Sequence, residues 1–157
     1  MADVAVSIGS NLERERSVSE ALVGLREVFG ELAISPVYES PAYGFEGPAF
    51  YNLVVAFETV LDVHAVRELI QGIEARRGRT RVDKRFDSRA LDLDLLLYAD
   101  AVLYDDGLDV PRREILEHAY ILKPLADLLP ERRHPVTGKS FAQIWVESEQ
   151  KTAALSP

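Results

Sequence analysis

The segment SRALDLDLLLY, residues 88–98, constrains the fold of this chain more than any other stretch. It is rich in leucine, as buried strands are, yet it carries Asp92 and Asp94. Side chains alternate along a strand, so the two carboxylates share one face, about 7 Å apart. Burying an uncompensated carboxylate costs several kcal/mol. The fold must therefore pair both aspartates, expose them or use them.

Composition and charge narrow the class of protein. The chain has 157 residues, 47% hydrophobic and 28% charged, which predicts one globular domain with a sizeable core. A net charge of −8 argues against nonspecific nucleic-acid binding, and the absence of cysteine excludes disulfides and thiolate metal sites. The N-terminus lacks the features of a signal peptide, and apolar runs such as 53–57 are too short to span a bilayer. We therefore expect a cytoplasmic protein.

The order of predicted elements indicates an α+β fold. Strands are expected at 4–8, 31–40, 51–59 and 88–98, with a turn at 9–11 closing the first and Pro36 favouring an edge position for the second. Helices are expected at about 13–29 and from Asp62 as N-cap. After the last strand, 101–111 should form a short strand, an Asp-Gly turn and a return strand. This order is the ferredoxin-like βαββαβ arrangement, with helices on one face of an antiparallel sheet. Short helices near 112–129 and 140–147 would be C-terminal additions. We expect a single domain over 1–157, with a core at about 3–147 and a flexible tail at 148–157.

A basic segment precedes the aspartate strand. Residues 76–89 hold seven of the 18 Lys and Arg residues against two acids, so the remainder has a balance of −13. A carboxylate pair for Mg²⁺ beside arginines for phosphate is the arrangement of a phosphoryl-transfer site. Two alternatives remain at this point. The aspartates could lie on a solvated strand face, salt-bridged to neighbouring arginines, and the basic segment could be a solvated surface or an RNA-binding arm.

Four motifs together resemble one known family. They are SIGSNL at 7–12, FYNLVVAFET at 50–59, GRTR at 78–81 and, above all, R-x-L-D-L-D-L-L at 89–96. They are similar in type and order to 6-hydroxymethyl-7,8-dihydropterin pyrophosphokinase, and the likeness runs from about residue 4 to 145. The resemblance implies a ferredoxin-like fold and transfer of the pyrophosphoryl group of ATP to a pterin hydroxymethyl group. It also implies two Mg²⁺ ions and a monomer that binds neither nucleic acid nor membrane.

The resemblance assigns roles to individual residues. The catalytic positions it implies are Arg79, Arg89, Asp92 and Asp94, of which the two aspartates would bind the metals. The implied ATP-binding positions are Gln71, Glu74, Arg81, Arg85, Arg112 and Arg113. The implied pterin-binding positions are Ser40, Pro41, Tyr43, Phe50, Asn52 and Tyr120. Stacking on two aromatics and an amide facing one edge suit a flat bicyclic ring.

The chain differs from the family pattern at several positions, mildly at Phe86, where some members have tryptophan, and more clearly at three others. Asp87 stands where a small residue is common, Arg112 where a histidine is common, and His118 where an arginine is common. These differences define two alternatives to the enzyme. One is a divergent paralogue that binds pterin or nucleotide without transfer, and the other is a ferredoxin-like sensing module without catalysis.

Overall fold

A computed structural model of the protein describes residues 1–41, 47–77 and 91–148. These residues form one antiparallel sheet with helices on both faces. The strands are β1 (Ala2–Ser10), β2 (Ala33–Ile34), β3 (Tyr38–Ser40), β4 (Phe50–Thr59) and β5 (Asp92–Tyr98). The helices are α1 (Arg14–Phe29), α2 (Val63–Arg77), α3 (Ala119–Leu128) and α4 (Phe141–Glu147), with a 3-10 turn at Arg113–Leu116. Residues 149–157 of the predicted tail lie outside these ranges.

The two inner strands of the sheet are β1 and β4. The strand order is β2–β4–β1–β5, and β3 pairs with β4 beyond β2. The short strands β2 and β3, separated around Pro36, together occupy the edge position that the sequence predicts for 31–40. This is the ferredoxin-like order, so the predicted α+β fold is confirmed. β1 extends through Gly9 and Ser10, however, where the sequence predicted a turn.

The prediction that helices cover one face of the sheet is wrong. α1 and α2 pack on one face, against side chains that include Val6, Val55 and Leu93. α3 and α4 pack on the other face, against Ala5 and Val54 among others. β1 and β4 carry apolar side chains on both faces of the sheet. If helices covered only one face, the apolar side chains on the other face would be exposed to water, and the C-terminal helices bury them.

The two long helices begin and end close to their predicted limits. α1 is expected at about 13–29 and occupies Arg14–Phe29, ending before Gly30, whose φ of 83° and ψ of −139° form a backbone conformation that glycine adopts readily and other residues do not. α2 follows Asp62, whose Oδ1 accepts a hydrogen bond from the backbone N–H of Ala65 at 2.9 Å. Asp62 is thus the predicted N-cap.

No helix in the described ranges is long and apolar enough to cross a membrane.

A tight turn connects β5 to the C-terminal helices. Asp106 and Gly107 both have positive φ, 53° and 77°, as a type I′ hairpin turn requires. Leu103 and Val110 form an isolated antiparallel bridge on either side of it. The predicted Asp-Gly turn is therefore confirmed. It lies against α2, since Nη1 of Arg67 donates to the backbone oxygen of Asp106 at 2.8 Å.

Truncating a buried leucine of α1 tests the core between the helices and the sheet. Leu25 is fully buried, so Leu25→Ala should lower the free energy of unfolding by about 2–5 kcal/mol, through lost apolar burial and the cavity left behind. The matched control is Leu69→Ala, at a leucine that is 36% exposed, where we expect less than about 1 kcal/mol. Urea unfolding measures both, and equal losses would contradict this packing.

The stability of the fold should fall on mild acidification because of His134. Its side chain is buried, and its Nδ1 accepts hydrogen bonds from the backbone N–H groups of Val136 and Thr137 at 3.1 and 3.3 Å. Burial lowers the pKa of His134 below its ordinary value of 6.5. The unfolded chain therefore takes up a proton below pH 6.5 before the folded one does. The contribution of neutral His134 to the free energy of unfolding is therefore complete above pH 6.5, and it is lost as the pH falls through the pKa of His134 in the folded protein.

Urea unfolding at about pH 7.5 and about pH 5.5 tests this effect in the wild type and in His134→Asn. Asparagine keeps an acceptor for the turn but does not titrate. The variant should therefore lose less unfolding free energy between the two pH values than the wild type does. The other histidines are common to both proteins and cancel. Identical losses would show that His134 does not contribute to acid sensitivity.

Candidate active site

The floor of the candidate site is a row of residues across three strands. Gly9 of β1 is paired with Asn52 of β4 on one side and with Asp92 of β5 on the other. Ser7, two residues earlier on the same face, is paired with Asp94. Neighbouring strands lie about 4.8 Å apart, so the amide of β4 and the carboxylates of β5 are separated by about 10 Å, with a glycine between them.

A cavity of about 210 Å³ lies over this row. α3 and the segment before it close the side opposite the sheet. The cavity is lined by Ser7, Ile8, Gly9, Ser40, Pro41, Phe50, Asn52, Leu53, Asp92, Asp94, Glu114, Tyr120 and Ile121. It therefore brings together five of the six predicted pterin residues and both predicted metal ligands. The sixth pterin residue, Tyr43, lies outside the described residues.

Hydrogen bonds fix the orientation of the Asn52 amide. Its Nδ2 donates to Oγ of Ser40 at 2.8 Å, with longer contacts to the backbone oxygens of Tyr38 and Phe50. The donor end is thus directed toward β3. The Oδ1 end lies over Gly9, where an added Cβ would come within 3.8 Å of it. The buried amide therefore presents its acceptor on the cavity side.

The opposite wall of the cavity carries an aromatic pair. Tyr120, in the first turn of α3, stacks on His118 with ring centroids 4.8 Å apart and an interplanar angle of 15°. Phe50 is half-buried on the β4 side. A flat ring system could lie between Phe50 and Tyr120 with one edge facing Asn52.

A network of charges surrounds Asp94. Nη2 of Arg112 lies 3.3 Å from Oδ1 of Asp94 and 2.8 Å from Oε1 of Glu114, and the other carboxylate oxygen of Glu114 lies 3.8 Å from Nε2 of His118. Burial lowers the pKa of Arg112, but attraction by Asp94 and Glu114 exceeds that effect, and the net shift is upward. Arg112 is therefore charged at every relevant pH.

The two aspartates fit a hard divalent cation. Both are half-buried, share a face of β5 and line the cavity. Within the described ranges no group of three or more potential metal-ligating side chains occurs. Mg²⁺ commonly uses one or two carboxylates and completes its shell with water and phosphate oxygens. The donor set is therefore sufficient for Mg²⁺ when a phosphate ligand is present.

A second, smaller cleft of about 90 Å³ adjoins the first and shares Asp94 with it. It lies between α2 and the Asp106-Gly107 turn. Two predicted ATP residues, Gln71 and Arg112, contribute to it. So does Arg67, which the sequence did not predict and whose buried Nε has no hydrogen-bond partner in the described part of the chain. The cleft is lined by Arg67, Ile70, Gln71, Leu93, Asp94, Leu95, Gly107, Leu108, Asp109, Val110 and Arg112.

Two further predicted ATP residues, Glu74 and Arg113, lie away from both spaces. Glu74 is buried, and its Oε2 accepts a hydrogen bond from the backbone N–H of Leu93 at 2.7 Å. The exposed Arg113 places its guanidinium 4.2 Å from the ring centre of Tyr104. Neither lines the cavity or the cleft. Arg79, Arg81, Arg85 and Arg89 lie outside the described residues, as does Asp87.

Ser7, Gly9 and Glu114 are among the cavity-lining residues that the sequence did not predict as part of the site. Ser7 and Gly9 belong to the motif SIGSNL, but the sequence predicts Gly9 in a turn, whereas the structure has it within β1 on the floor of the site. A glycine within a strand signals that something approaches the backbone closely, and that signal was available. Glu114 gave no sequence signal, because its place at the cavity depends on how the 3-10 turn packs.

Comparison with known proteins agrees with the resemblance found in the sequence. Residues 5–130 match the sequence model of the 7,8-dihydro-6-hydroxymethylpterin-pyrophosphokinase (HPPK) family. A Pseudomonas aeruginosa protein named 2-amino-4-hydroxy-6-hydroxymethyldihydropteridine pyrophosphokinase is 38% identical over 84% of this chain and 83% of its own length. An Aquifex aeolicus protein of the same name is 32% identical over 96% of this chain and 95% of its own length.

Longer proteins also contain a region similar to this chain. The "Folic acid synthesis protein fol1" of Pneumocystis carinii is 35% identical over 90% of this chain, which spans only 20% of that protein. The crystal structure of Plasmodium falciparum HPPK-DHPS with pteroate superposes on 93% of this chain and 42% of its own, with a TM-score of 0.70 at 16% identity. That likeness supports the fold alone. On the family match over residues 5–130 and the bacterial relatives, the chain belongs to the 7,8-dihydro-6-hydroxymethylpterin-pyrophosphokinase family.

Proposed function

We propose that this protein transfers the pyrophosphoryl group of ATP to 6-hydroxymethyl-7,8-dihydropterin, giving AMP and the pterin diphosphate, in folate biosynthesis. Family membership and the names of the bacterial relatives support the reaction. The observation that carries the proposal is the shared cavity. An oriented amide, two aromatic rings and a carboxylate pair converge on one space, as a reaction between a flat heterocycle and a metal-bound polyphosphate requires.

The pterin would lie in the cavity between Phe50 and Tyr120. Asn52 has committed its Nδ2 to Ser40, so its free role is to accept, through Oδ1, from N–H groups on the amide edge of the pterin. With that edge at β4, the ring extends across Gly9 toward β5. The hydroxymethyl group at the far end of the ring is thereby directed toward Asp92 and Asp94, about two strand spacings away.

The nucleotide would use the adjoining cleft and the basic segment. Arg67, Gln71 and Arg112 line the cleft next to Asp94 and would contact the nucleotide from α2 and the 3-10 turn. On the sequence resemblance we assign the phosphate contacts to Arg79 and Arg89. Since the cavity and the cleft share Asp94, the polyphosphate and the pterin hydroxyl would meet at that carboxylate.

Asp92 and Asp94 would hold Mg²⁺, and we propose two ions. When bound, Mg²⁺ neutralises phosphate charge and makes the pterin hydroxyl a better nucleophile. The chain's residues otherwise contribute position and exclusion of water. Stacking and the Asn52 bond fix the pterin, while arginines fix the phosphates, so that bimolecular transfer becomes effectively intramolecular.

Transfer itself involves one displacement at phosphorus. The hydroxymethyl oxygen of the pterin forms a bond to the β-phosphorus of ATP, and the bond from that phosphorus to the α,β-bridging oxygen breaks. AMP leaves with the bridging oxygen and its electron pair, and the hydroxyl proton is released to solvent. No covalent bond to the protein is needed.

We propose that the protein acts as a monomer in the cytoplasm.

Removing either carboxylate tests the function. With ATP, Mg²⁺ and 6-hydroxymethyl-7,8-dihydropterin, the wild type should release AMP only when the pterin is present. Asp92→Asn and Asp94→Asn should each lower the rate by about a hundredfold or more, since a metal ligand contributes several kcal/mol to the transition state. Asp3→Asn, an exposed aspartate at the other end of β1, is the matched control and should keep the wild-type rate.

The same assay separates the alternatives. Folded wild type that releases no AMP would refute the proposed reaction. Calorimetry of the same sample would then distinguish a paralogue that binds pterin and ATP without transfer from a sensing module. In the sensing module, ligand binding should survive both substitutions at Asp92 and Asp94.

Filling the floor of the cavity tests where the pterin lies. A Cβ at Gly9 would make only ordinary contacts, at 3.8 Å from Asn52 Oδ1 and 3.9 Å from Phe50 Cδ1, so Gly9→Ala should fold normally. Gly9→Leu should place further carbons in the space of the pterin ring and raise the pterin Kd by about tenfold or more. Calorimetry measures the Kd of the pterin for the wild type and for both variants, and thermal melting checks that Gly9→Leu is folded. A folded Gly9→Leu with wild-type affinity would mean that the ring lies elsewhere.

A further inference from the structure

A hydrogen-bonded chain of side chains lies outside the cavity, and the proposed reaction does not use it. Tyr38 is only 8% exposed, and its hydroxyl donates to Oδ2 of Asp127. The other oxygen of Asp127 accepts from Nζ of Lys123 at 2.9 Å, and that ammonium lies 5.3 Å from the ring centre of Trp145. The chain thus runs from β3 through α3 to α4.

The Tyr38–Asp127 bond joins the two elements that carry opposite walls of the cavity. Tyr38 precedes Ser40 by two residues on β3, so both side chains point to the same side of the strand, about 7 Å apart. Asp127 follows Tyr120 by seven residues on α3, which is about two turns, or 10 Å, along one side of the helix. The bond therefore fixes β3 and α3 relative to each other just beyond the ends of the cavity walls.

We propose that Tyr38 and Asp127 are positioning residues that set the separation between the Ser40 and Tyr120 walls and thereby the affinity of the cavity for the pterin. The inference rests on the proposed function, since it takes the pterin as the occupant of the cavity. Neither residue lines the cavity. They would act through Ser40 and its bond to Asn52 on one side and through the ring of Tyr120 on the other.

The elements on either side need such a connection. β3 is three residues long, lies at the sheet edge and is paired only with β4 in the described part of the chain. α3 is held to the sheet by apolar contacts such as those of Leu122 and Leu125, and apolar contact is not directional. These apolar contacts would oppose a slide of α3 along the sheet by a fraction of an ångström only weakly. A hydrogen bond to a carboxylate has a defined length and angle, and it therefore opposes such a slide.

The phenol remains a donor under all ordinary conditions. Burial and the neighbouring Asp127 raise the pKa of Tyr38 to about 12. Its proton is therefore retained well above neutral pH, and the bond to Asp127 persists. The carboxylate also keeps Lys123 as a second partner, so it is not left without a donor when the phenol hydroxyl is removed.

The experiment measures pterin and nucleotide binding separately in variants of the full chain. Calorimetry gives the Kd of 6-hydroxymethyl-7,8-dihydropterin in the presence of Mg²⁺ and a non-hydrolysable ATP analogue, and the Kd of the analogue alone with Mg²⁺. The variants are Tyr38→Phe, Asp127→Ala and the conservative Asp127→Asn, which keeps an acceptor for the phenol. The matched control is Tyr98→Phe, which removes a different buried phenol bond, to the backbone oxygen of Leu61 at 2.6 Å.

Positioning predicts a selective loss of pterin affinity. Tyr38→Phe and Asp127→Ala should raise the pterin Kd by about tenfold, since a hydrogen bond to a charged group contributes somewhat more than the energy of a tenfold change. The analogue Kd should stay within about twofold, and Asp127→Asn should recover most of the pterin affinity. Tyr98→Phe should leave both constants unchanged. Equal weakening of both ligands, or unchanged pterin affinity in Tyr38→Phe, would overturn the proposal.

A readout without ligand keeps the proposal distinct from the proposed function. Amide hydrogen exchange of the free protein should be faster in Tyr38→Phe at residues 38–40 and 119–122, and not at β1. If the wild type binds no pterin, the proposed function is refuted. Amide hydrogen exchange, which needs no ligand, would then still test whether the Tyr38–Asp127 bond holds the two walls in position. Unchanged exchange at both segments would show that the bond does not position the two walls.

Discussion

The pairing of β1 with β4 on one side and with β5 on the other is the constraint on which the rest of the structure depends. Because side chains alternate, a shift of one residue between β1 and β5 would turn Asp92 and Asp94 into the core below the sheet and the leucines into the cavity. Burial of two carboxylates among apolar side chains would cost several kcal/mol each. The same apolar pattern that folds the sheet therefore also places the carboxylates, beside Gly9 and in line with Asn52.

Most of the fold could be predicted from the sequence, since its long elements carry clear periodicity. The N-cap Asp62 and Gly30 at the end of α1 are local signals that tertiary structure did not override. The second layer of helices was missed, although a signal for it exists. The run VAVSI is apolar at consecutive positions, which is typical of a strand buried on both faces, and Ala5 does pack under the C-terminal helices.

The candidate site could be predicted only in part, and the division follows the range of the interactions. Asp92 and Asp94 were placed on one face by strand geometry alone. The contacts of Arg112 with Asp94 and Glu114 join residues of separate elements, and no spacing in the sequence predicts them. Glu74, which the resemblance places at the nucleotide, is hydrogen-bonded to the edge of β5. Helical spacing indicates which face a side chain occupies, but not whether a sheet edge or a ligand lies there.

β5 tolerates two carboxylates because polar partners from other elements lie along this strand. The buried carboxylate of Glu74 takes the outward N–H of Leu93, which would otherwise be an unpaired edge donor. Asp92 begins the strand at the cavity, and Asp94 is paired with Arg112. Since Arg112 is also bonded to Glu114, it keeps an anionic partner when another cation occupies Asp94. Arg112 thus balances the charge of Asp94 while no metal is bound. When a cation binds Asp94 and displaces Arg112, the guanidinium remains paired with Glu114, so none of the three charged groups is buried without a partner.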